Sequence, residues 1–496
     1  MPGHWIANCT DSADENSPPI EMKPVAIIGA GITGLTTAFY LKRKGVPVLV
    51  YEAGKRAGGV IQSLRQDGFL AEYGPNTILE TSPIIAQLIR DAGLQSRRMN
   101  SDPQAEARYV VRGRRPVAMP SSQLGIFTSE LLSAKAKFAL MREPFVPARR
   151  DGVEESIAEF VTRRLNREFL ERMVDALVAG IYAGDPDKLS MPHSFPRLKA
   201  LEDKYGSLIK GQMAGARERK KTGAISRERA PKVSFDEGLQ VLPDTLAAHL
   251  GDSLKLNTPV SRLLARDGGW QVTTPAGEQE HSAVIYCGTA YKLAELQIET
   301  MRPPTPSLPP LSGERVAEAQ GRPAALSEIR HPPVASVVLG FRREDIAHSC
   351  EGFGMLIPRV EGFNILGTIF SSSLFPNRAP AGHVLLTTYV GGERQPELAL
   401  LPPEKLVELV CADLRTLLGV KGRPVFQNVA LYPKAIPQYN VGYGKFKTLL
   451  DEMESQAPGL FFAGHFRDGV SLGDSIVSGC AAVERVSGFL TTKGHS

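Results

Sequence analysis

The first clear pattern along the chain is a buried strand, a turn and an amphipathic helix. Residues Val25–Ile28 form a continuous apolar run, which is typical of a parallel strand covered on both faces. A helix with one buried face is predicted to start near Ile32, because apolar residues recur three and four positions apart: Leu35, Ala38, Phe39 and Leu41. A second apolar run, Val46–Tyr51, follows Gly45. The pattern predicts a β-α-β unit in a parallel sheet.

The stretch from Ser121 to about Lys232 is predicted to be a helical insertion. Apolar residues lie three and four apart in Glu154–Leu165 and in Glu168–Val178. The segment Leu177–Pro186 contains two glycines and an Asp-Pro pair, which break a helix. Local sequence leaves open whether this break is a functional loop or a simple helix end.

The last third of the chain predicts an antiparallel sheet with a covering helix. A proline-rich crossover linker, Met301–Leu311, precedes it. Four strands are predicted, namely Val334–Phe341, Gly354–Pro358, Asn364–Phe370 and His383–Val390. A helix over Pro403–Leu418 is predicted to follow them. Before the linker, short β-rich runs from Val233 to Gly288 predict a return to the first sheet, and we expect the later sheet to hold the substrate.

The turn after the first strand has the spacing of a phosphate-binding loop. In Gly29-Ala30-Gly31-Ile32-Thr33-Gly34, the first glycine permits a tight turn, the second lets a pyrophosphate approach and the third lets helix and strand pack closely. The N–H groups at the helix start would face the pyrophosphate. Glu52 follows Gly34 by 18 residues, close to the spacing of a carboxylate that binds a ribose diol. These features predict a Rossmann-like dinucleotide-binding domain.

Three further segments are predicted to complete the cofactor site. Arg56 and the glycine pair after it lie in the loop beyond Glu52, and a Gly-Pro turn follows near residue 74. A second glycine-rich turn leads into a helix near Ser471, and this helix N-terminus suits the pyrimidine end of a flavin, whereas a nicotinamide has no need of it. The predicted cofactor-binding residues are Gly29, Ala30, Gly31, Ile32, Thr33, Gly34, Glu52, Ala53, Arg56, Gly58, Gly59, Gly74, Pro75, Asn76, Thr77, Val260, Gly464, His465, Val470, Ser471 and Leu472.

Composition and charge narrow the class of protein. With 496 residues, 42% of them hydrophobic, the chain can build two or three domains around large cores. The net charge of +5 is too small to indicate nucleic-acid binding. The basic segment Arg217–Arg229 is expected to be an exposed loop, with attraction to an anionic membrane as the alternative. No apolar run reaches the ~20 residues of a membrane span, and residues 1–22 lack a signal-peptide pattern. We therefore expect a cytoplasmic protein, with peripheral membrane contact left open.

The five cysteines are scattered and lack metal-ligand spacing, so no metal site is predicted. Cys480 lies close to the second glycine-rich turn, where both a covalent flavin link and a packed thiol are conceivable. We predict a packed thiol and non-covalent FAD.

The predicted division of the chain is discontinuous. Residues 1–22 are a disordered leader, and residues 23–105, 233–300 and 430–490 form the FAD-binding domain. Residues 106–120 and 301–429 form the substrate-binding domain. Residues 121–232 form a helical domain, which is the candidate for membrane association. The predicted fold class is α/β, or α+β when the whole chain is counted.

From about Lys23 to Leu490, the sequence resembles the oxygen-dependent protoporphyrinogen oxidases, within the flavin amine-oxidase superfamily. The stretches GAGITGL, RAGG, EYGPN and FFAGHFRDGVSLGDS are motifs of the superfamily. The stretches LVAGIYAGDPDKLSM, EGFGMLIP, LGTIFSSSLFPNRAP and AIPQYNVGY are similar to the porphyrinogen oxidases in particular. The family often has Asn where His465 stands, and often His where Tyr443 stands.

The resemblance implies FAD-dependent removal of six electrons from a tetrapyrrole in three rounds. Each round passes a hydride from a ring methylene to flavin N5, and molecular oxygen reoxidises the flavin with release of hydrogen peroxide. Arg108 resembles the arginine that pairs with a substrate propionate, and Gly180 resembles the loop glycine that lies over the substrate. Phe353, Leu356 and Phe370 resemble residues that sandwich the macrocycle; core packing is the alternative for these three. No side chain is singled out as a catalytic base.

Several alternatives stay open at this point. The same chemistry could act on coproporphyrinogen III, which more basic residues in the cavity would favour, and Arg112, Arg114 and Arg359 cannot be placed from sequence. An amine oxidase, a carotenoid desaturase and a non-catalytic flavin-binding module are more distant alternatives. A homodimer is also left open.

Overall fold

The structure is a computed structural model that describes residues 22–120, 125–222, 230–300 and 323–493. The side chains of residues 217–222 and 493 fall outside this description. The predicted leader, except for residue 22, and the proline-rich linker lie outside the described residues. The same is true of residues 223–229 of the basic segment. The boundaries of the predicted domains stay a prediction.

A sheet of five parallel strands lies beside the predicted phosphate-binding turn. In spatial order, the strands are Leu254–Lys255, Val48–Tyr51, Val25–Ile28, Val284–Tyr286 and Leu460–Phe462. The strand predicted at Val25–Ile28 is confirmed, and all four of its residues are buried. The next strand begins at Val48, two residues later than predicted; Pro47 before it has no N–H to donate. Of the segment predicted to return to this sheet, only Leu254–Lys255 and Val284–Tyr286 join it.

Two helices cross closely over this sheet near their N-terminal ends. The first is Ile32–Arg43 and the second is Leu472–Lys493, the last helix of the described chain. The Thr33 hydroxyl donates to the Ser475 carbonyl at 3.1 Å, and the Thr37 hydroxyl donates to the Gly479 carbonyl at 3.1 Å. A Cβ at Gly479 would lie 2.7 Å from the Thr33 carbonyl oxygen. Two helix N-termini, more than 400 residues apart in sequence, are therefore neighbours.

A seven-stranded sheet forms the second large layer. Its spatial order is Phe426–Tyr432, Val334–Arg342, His383–Gly391, Ile365–Phe370, Gly354–Leu356, Arg108–Arg112 and Arg115–Ala118. Only the pairing of Gly354–Leu356 with Arg108–Arg112 is parallel. Helix Pro403–Leu418 packs its apolar face on one side of this sheet. The predicted sheet and covering helix are confirmed, whereas the edge strand Phe426–Tyr432 was not predicted.

Smaller sheets connect the two layers. Strand Lys232–Phe235 pairs with Ile78–Leu79 and Arg98–Asn100, so it does not return to the parallel sheet as the sequence suggested. A hairpin is formed by Ser63–Gln66 and Phe69–Glu72. A four-stranded sheet comprises Gly277–His281, Gly269–Thr274, Arg262–Arg266 and Gln297–Glu299.

The predicted helical insertion is confirmed in the described ranges 125–222. Its α-helices are Gly125–Thr128, Ala134–Arg142, Ile157–Arg164, Arg167–Phe169, Asp175–Tyr182, Met191–Ser194, Pro196–Tyr205 and Leu208–Thr222. A π-helical segment, Leu170–Val174, lies between the fourth and the fifth of them. The predicted break within Leu177–Pro186 is confirmed: the helix runs through Gly180 and ends at Tyr182. Ala183 then has φ +48°, the left-handed geometry of a helix end.

The remaining helices are Pro83–Asp91, Val241–Leu250, Ala290–Leu293, Ser371–Leu374, Pro396–Ala399 and Gly444–Gln456. Within the described ranges, no helix is both long enough and apolar enough to cross a bilayer.

Candidate active site

The three glycines of the phosphate-binding turn have three different environments. Gly29 has φ +102°, and a Cβ there would lie 3.1 Å from the Gly288 nitrogen. A Cβ at Gly34 would lie only 2.0 Å from the Gly29 carbonyl oxygen, so this glycine allows the helix to fold back on the turn. A Cβ at Gly31 would meet no atom within 4 Å. The open space at Gly31 is where a pyrophosphate would approach the N–H groups of the first helical turn.

The Glu52 carboxylate is held at the end of the second strand by two backbone amides. Ala30 N–H donates to Oε2 at 2.8 Å, and Gly54 N–H donates to Oε1 at 2.7 Å. Each oxygen keeps a lone pair for a ribose hydroxyl. The Thr258 amide donates to the Glu52 carbonyl at 2.8 Å, which brings the segment leading to Val260 to this end of the site.

Arg56 braces its own loop. Its guanidinium donates to the carbonyls of Ala57 at 3.0 Å, Ile61 at 2.9 Å and Gly59 at 2.6 Å. Gly58 and Gly59 have φ +101° and +58°, and a Cβ at Gly59 would lie 3.4 Å from the Gly31 Cα. The loop therefore lies directly against the phosphate turn, and the predicted Arg56 to phosphate contact has at most two of the five N–H donors left.

The turn at Gly74–Asn76 is tied to the seven-stranded sheet by Tyr389. The Tyr389 hydroxyl donates to the Gly74 carbonyl at 3.1 Å and accepts from Asn76 Nδ2 at 2.7 Å. A Cβ at Gly74 would lie 2.5 Å from the Val60 carbonyl oxygen, so a larger residue would push the turn away from the Arg56 loop. The Thr77 hydroxyl is buried without a hydrogen-bond partner among the described residues, as expected of an atom that awaits a ligand.

The second glycine-rich turn is held by two tyrosines that sequence reasoning left without a role. Tyr439 donates to the His465 carbonyl and accepts from the Gly469 amide at 3.1 Å, while Tyr443 donates to the Phe466 carbonyl at 2.5 Å. The two rings are 4.4 Å apart between centroids. Both tyrosines lie in the stretch AIPQYNVGY, whose resemblance to the porphyrinogen oxidases was the only signal for them.

The start of the last helix is closed by an internal cap. Ser471 Oγ donates to Asp474 Oδ2 at 2.6 Å and accepts from the Asp474 amide at 3.1 Å. Gly464 has φ +121°, and a Cβ there would lie 3.7 Å from Thr33 Oγ1. Burial lowers the pKa of His465 to about 4, so its imidazole is neutral at neutral pH.

These features fit a bound dinucleotide with a flavin ring. Four features suit parts of such a ligand: the open space at Gly31, the Glu52 carboxylate, the Thr77 hydroxyl without a partner among the described residues, and the second helix N-terminus at Leu472. Cys480 faces Tyr40 two turns along the last helix, and burial raises the pKa of its thiol to about 11, which disfavours the thiolate that a covalent link would need. The residues present would hold the group without that link.

Four of the five predicted substrate residues lie on one side of the seven-stranded sheet. The Arg108 guanidinium carbon lies 5.5 Å from the centroid of the Phe353 ring, and the paired residues Gly354 and Arg108 align their two strands. A Cβ at Gly180 would lie 2.5 Å from Leu356 Cδ2. Arg108, Phe353, Leu356 and Gly180 therefore combine a cation, an aromatic ring and an aliphatic wall, which suits a flat apolar molecule that carries a carboxylate.

Phe370 is placed elsewhere, which corrects the prediction. Its ring is fully buried, 6.1 Å from Tyr109 and 5.7 Å from His348 between centroids, in the core that helix Pro403–Leu418 covers. The neighbouring Ile369 points to the other side and packs against the apolar cluster that Phe353 also contacts. Alternation along the strand explains the difference, because successive residues point to opposite faces.

The three arginines that sequence could not place have different partners. Arg359 lies 3.3 Å from Asp185 in an ion pair, and the Arg114 guanidinium carbon stacks 4.7 Å from the Phe363 ring. Arg112 Nη1 is buried without a hydrogen-bond partner in the described part of the chain. Arg112 is four residues beyond Arg108 on the same strand, and so it shares a face with Arg108.

Comparison with known proteins identifies the class and then the family. The chain matches the family model of flavin-containing amine oxidoreductases over residues 32–487, so it belongs to that class. It is 34% identical over 509 residues to protoporphyrinogen oxidase 2, chloroplastic/mitochondrial, of Arabidopsis thaliana, with 96% of both chains covered. The chain is therefore a member of the protoporphyrinogen oxidase family.

Two other similarities place this family in context. Coproporphyrinogen III oxidase of Bacillus subtilis (strain 168) is 28% identical, over 94% of this chain and 98% of that protein. A crystal structure from Exiguobacterium sp. 255-15 superposes with a TM-score of 0.76 at 24% identity, over 94% of this chain and 98% of that one, which shows the shared fold. The protein is thus an oxidoreductase of the porphyrin pathway with FAD as its cofactor.

Proposed function

We propose that the protein oxidises protoporphyrinogen IX to protoporphyrin IX in three two-electron rounds, with molecular oxygen as the acceptor. The observation that carries the proposal is the Arg108 guanidinium 5.5 Å from Phe353, beside the contact between Gly180 and Leu356. A tetrapyrrole with propionates on one edge matches such a surface. The names of the relatives that are 34–36% identical support the same substrate.

The chain's own residues would contribute mainly orientation. FAD, when bound, supplies the two-electron acceptor. Phe353 and Leu356 would exclude water and hold the ring plane, and Arg108 would fix the position of a propionate. Gly180 leaves room for the ring, because any Cβ would displace Leu356. We assign no catalytic base, since a pyrrole N–H proton can leave to solvent as the adjacent methylene is oxidised.

Coproporphyrinogen III is the second candidate substrate. Arg112 favours it, because its Nη1 lacks a hydrogen-bond partner among the described residues and its side chain shares a strand face with Arg108, where it could receive a further propionate in addition to the charge of Glu168 nearby. Arg114 and Arg359 do not favour it, because Phe363 and Asp185 already engage them.

The test is anaerobic mixing of the purified holoenzyme with each porphyrinogen while the visible flavin band is followed. We expect protoporphyrinogen IX to bleach the band faster than coproporphyrinogen III does. Subsequent addition of air should restore the band and release hydrogen peroxide. Bleaching by coproporphyrinogen III alone would make it the substrate, and bleaching by an amine with no response to either porphyrinogen would refute the proposal.

We further propose a cytoplasmic protein that contacts membranes through the helical region. Phe138, Met141 and Phe145 are 56%, 51% and 85% exposed, and their spacing of three and four places them on one side of helix Ala134–Arg142 and the turn after it. Lys135, Lys137 and Arg142 of the same helix supply positive charge.

Flotation with anionic and neutral vesicles tests the membrane contact. We expect the protein to float with phosphatidylserine vesicles and the Phe138→Ser/Phe145→Ser variant to stay at the bottom. An unchanged flotation of the variant would contradict the assignment. Loss of a dimer in sedimentation of the same variant would instead identify the surface as a subunit interface.

A further inference from the structure

Lys232 is a buried lysine without a partner. Lys232 is 9% exposed. It lies on the middle strand of the small three-stranded sheet, between strands Ile78–Leu79 and Arg98–Asn100. The backbone carbonyl of Lys232 accepts from the Ser101 amide at 2.8 Å. The ammonium group, in contrast, has no hydrogen bond or ion pair among the described residues, and it keeps some contact with solvent, since it is not one of the fully buried side-chain atoms that lack a partner. Lysine is almost never buried in this way unless it is paired.

The charged group that faces Lys232 most strongly is another cation. Burial and the positive charge of Arg108 lower the pKa of Lys232, and Glu106 opposes this shift. Arg98, on one flanking strand, and Glu80, directly after the other, form an ion pair at 2.8 Å. Arg108 stacks on Phe353 and, like Lys232, has no acidic partner at ion-pair distance within the described ranges. Two cations without an acidic partner at ion-pair distance therefore influence each other in a partly buried corner.

This corner adjoins the proposed substrate surface. Phe353 and Met99 both pack against the apolar cluster of Ala105, Leu374 and Phe375, and Met99 lies on the strand that pairs with the strand of Lys232. The Asp102 amide donates to the Leu374 carbonyl at 2.9 Å, which ties the same segment to the short helix Ser371–Leu374 that follows a strand of the seven-stranded sheet. Lys232, on the three-stranded sheet, and Arg108, on the seven-stranded sheet, thus both lie beside the proposed substrate surface.

We propose that Lys232 is a second carboxylate-binding residue, which together with Arg108 receives the two propionates on one edge of the tetrapyrrole. The proposal rests on the function proposed above and adds the residue that binds the second acidic group. An anion offsets both the desolvation of the ammonium and its repulsion from Arg108, so the pair is more stable with a dicarboxylate bound than without one.

The experiment compares Lys232→Met, Lys232→Arg and the exposed control Lys405→Met as holoenzymes. Lys405 is paired with Glu408 on the surface of helix Pro403–Leu418. For protoporphyrinogen IX, we expect Lys232→Met to raise KM about tenfold with kcat within about twofold, because a lost charge-assisted contact is worth roughly one power of ten. Lys232→Arg should recover most of the loss, and Lys405→Met should show none.

The dimethyl ester of the substrate separates charge recognition from a structural effect. We expect the ester to have the same KM with the natural enzyme and with Lys232→Met. An equal rise in KM for acid and ester, or no rise for either, would overturn the proposal. Equilibrium binding of protoporphyrin IX and of its dimethyl ester, followed by porphyrin fluorescence, gives the same comparison without turnover. If the natural enzyme fails to oxidise protoporphyrinogen IX, the proposed function fails, while a charge-dependent loss of porphyrin binding in Lys232→Met would still support the carboxylate site.

Discussion

The cofactor end and the substrate end of the molecule are specified in different ways. At the cofactor end, the closest constraints are between backbone atoms: a Cβ at Gly34 would lie 2.0 Å from the Gly29 carbonyl oxygen, five residues away in sequence. At the substrate end, the constraint joins distant parts of the chain, because Gly180 of the helical region faces the Leu356 side chain of the sheet.

This difference determines which changes each end tolerates. A backbone contact cannot relax without moving a strand or a helix, whereas a side-chain tip can rotate away. Glycine substitutions at the cofactor end should therefore affect folding and FAD together. Substitutions at the substrate end should affect turnover while the fold remains.

The largest effect is expected for Gly34→Ala. The methyl group must displace the Gly29 carbonyl, so we expect a loss of about 4 kcal/mol of stability and purification of a protein without flavin. Gly31→Ala is the matched control, because a Cβ there meets no atom within 4 Å. Gly31→Ala should fold with a melting temperature close to that of the natural apoprotein and still fail to retain FAD. Retention of FAD by Gly34→Ala would contradict the backbone argument.

A smaller effect, on the pH dependence of the free energy of unfolding, is expected for Glu72. Its carboxylate lies near the cofactor end and forms an ion pair with Arg378 of the substrate end. Burial raises the pKa of Glu72 to about 7, although the guanidinium of Arg378 at 3.0 Å opposes the shift. Because the folded form then holds its proton more tightly than the unfolded form, stability is highest below about pH 4.5 and falls as the pH rises toward 7, by ~3 kcal/mol.

Denaturant unfolding between pH 5 and 8 tests this prediction. Glu72→Gln should be less stable than the natural protein at low pH and should lack the decline between about pH 5 and 7. Glu484→Gln, which removes an exposed ion pair with Lys44, should keep the decline. The same slope in Glu72→Gln as in the natural protein would assign the decline to other groups.

Gly180→Ala should separate stability from activity. Gly180 lies inside a helix, where alanine is favoured by about 1 kcal/mol, so we expect an unchanged or higher melting temperature. Because the new Cβ would lie 2.5 Å from Leu356 Cδ2, kcat/KM for the porphyrinogen should fall about tenfold at unchanged FAD content. Leu356→Val in the same chain should restore part of the loss. Gly488→Ala, where a Cβ meets nothing within 4 Å, should leave kcat/KM unchanged, and equal losses in the two variants would refute the contact.

The smallest effect is expected for Tyr389→Phe. This change removes a hydrogen bond to the Gly74 carbonyl at 3.1 Å and one from Asn76 at 2.7 Å, which should cost about 1 kcal/mol. The dissociation constant for FAD, measured by titration of the apoprotein, should rise about threefold to fivefold. Tyr109→Phe loses only a bond to the exposed Glu351 carbonyl, so its FAD affinity should not change.

The sequence by itself determined the local structure of the cofactor end, whereas the contacts of each residue with FAD stay a prediction. The strand Val25–Ile28, the three glycines and Glu52 could be predicted because their functions depend on short spacings within one β-α-β unit. Tyr439 and Tyr443 escaped that reasoning, since a tyrosine that bonds a backbone carbonyl leaves no spacing pattern in sequence.

Only the tertiary structure decided which residues lie together on the proposed substrate surface. Phe370 and Ile369 are adjacent and both apolar. Alternation along the strand turns Ile369 toward the cluster that Phe353 also contacts, and it turns Phe370 into the core. Lys232 and Arg108 are 124 residues apart and carry no motif in common, yet two sheets bring their charges together. Periodicity fixes local structure, whereas the meeting of distant side chains depends on how the sheets pack.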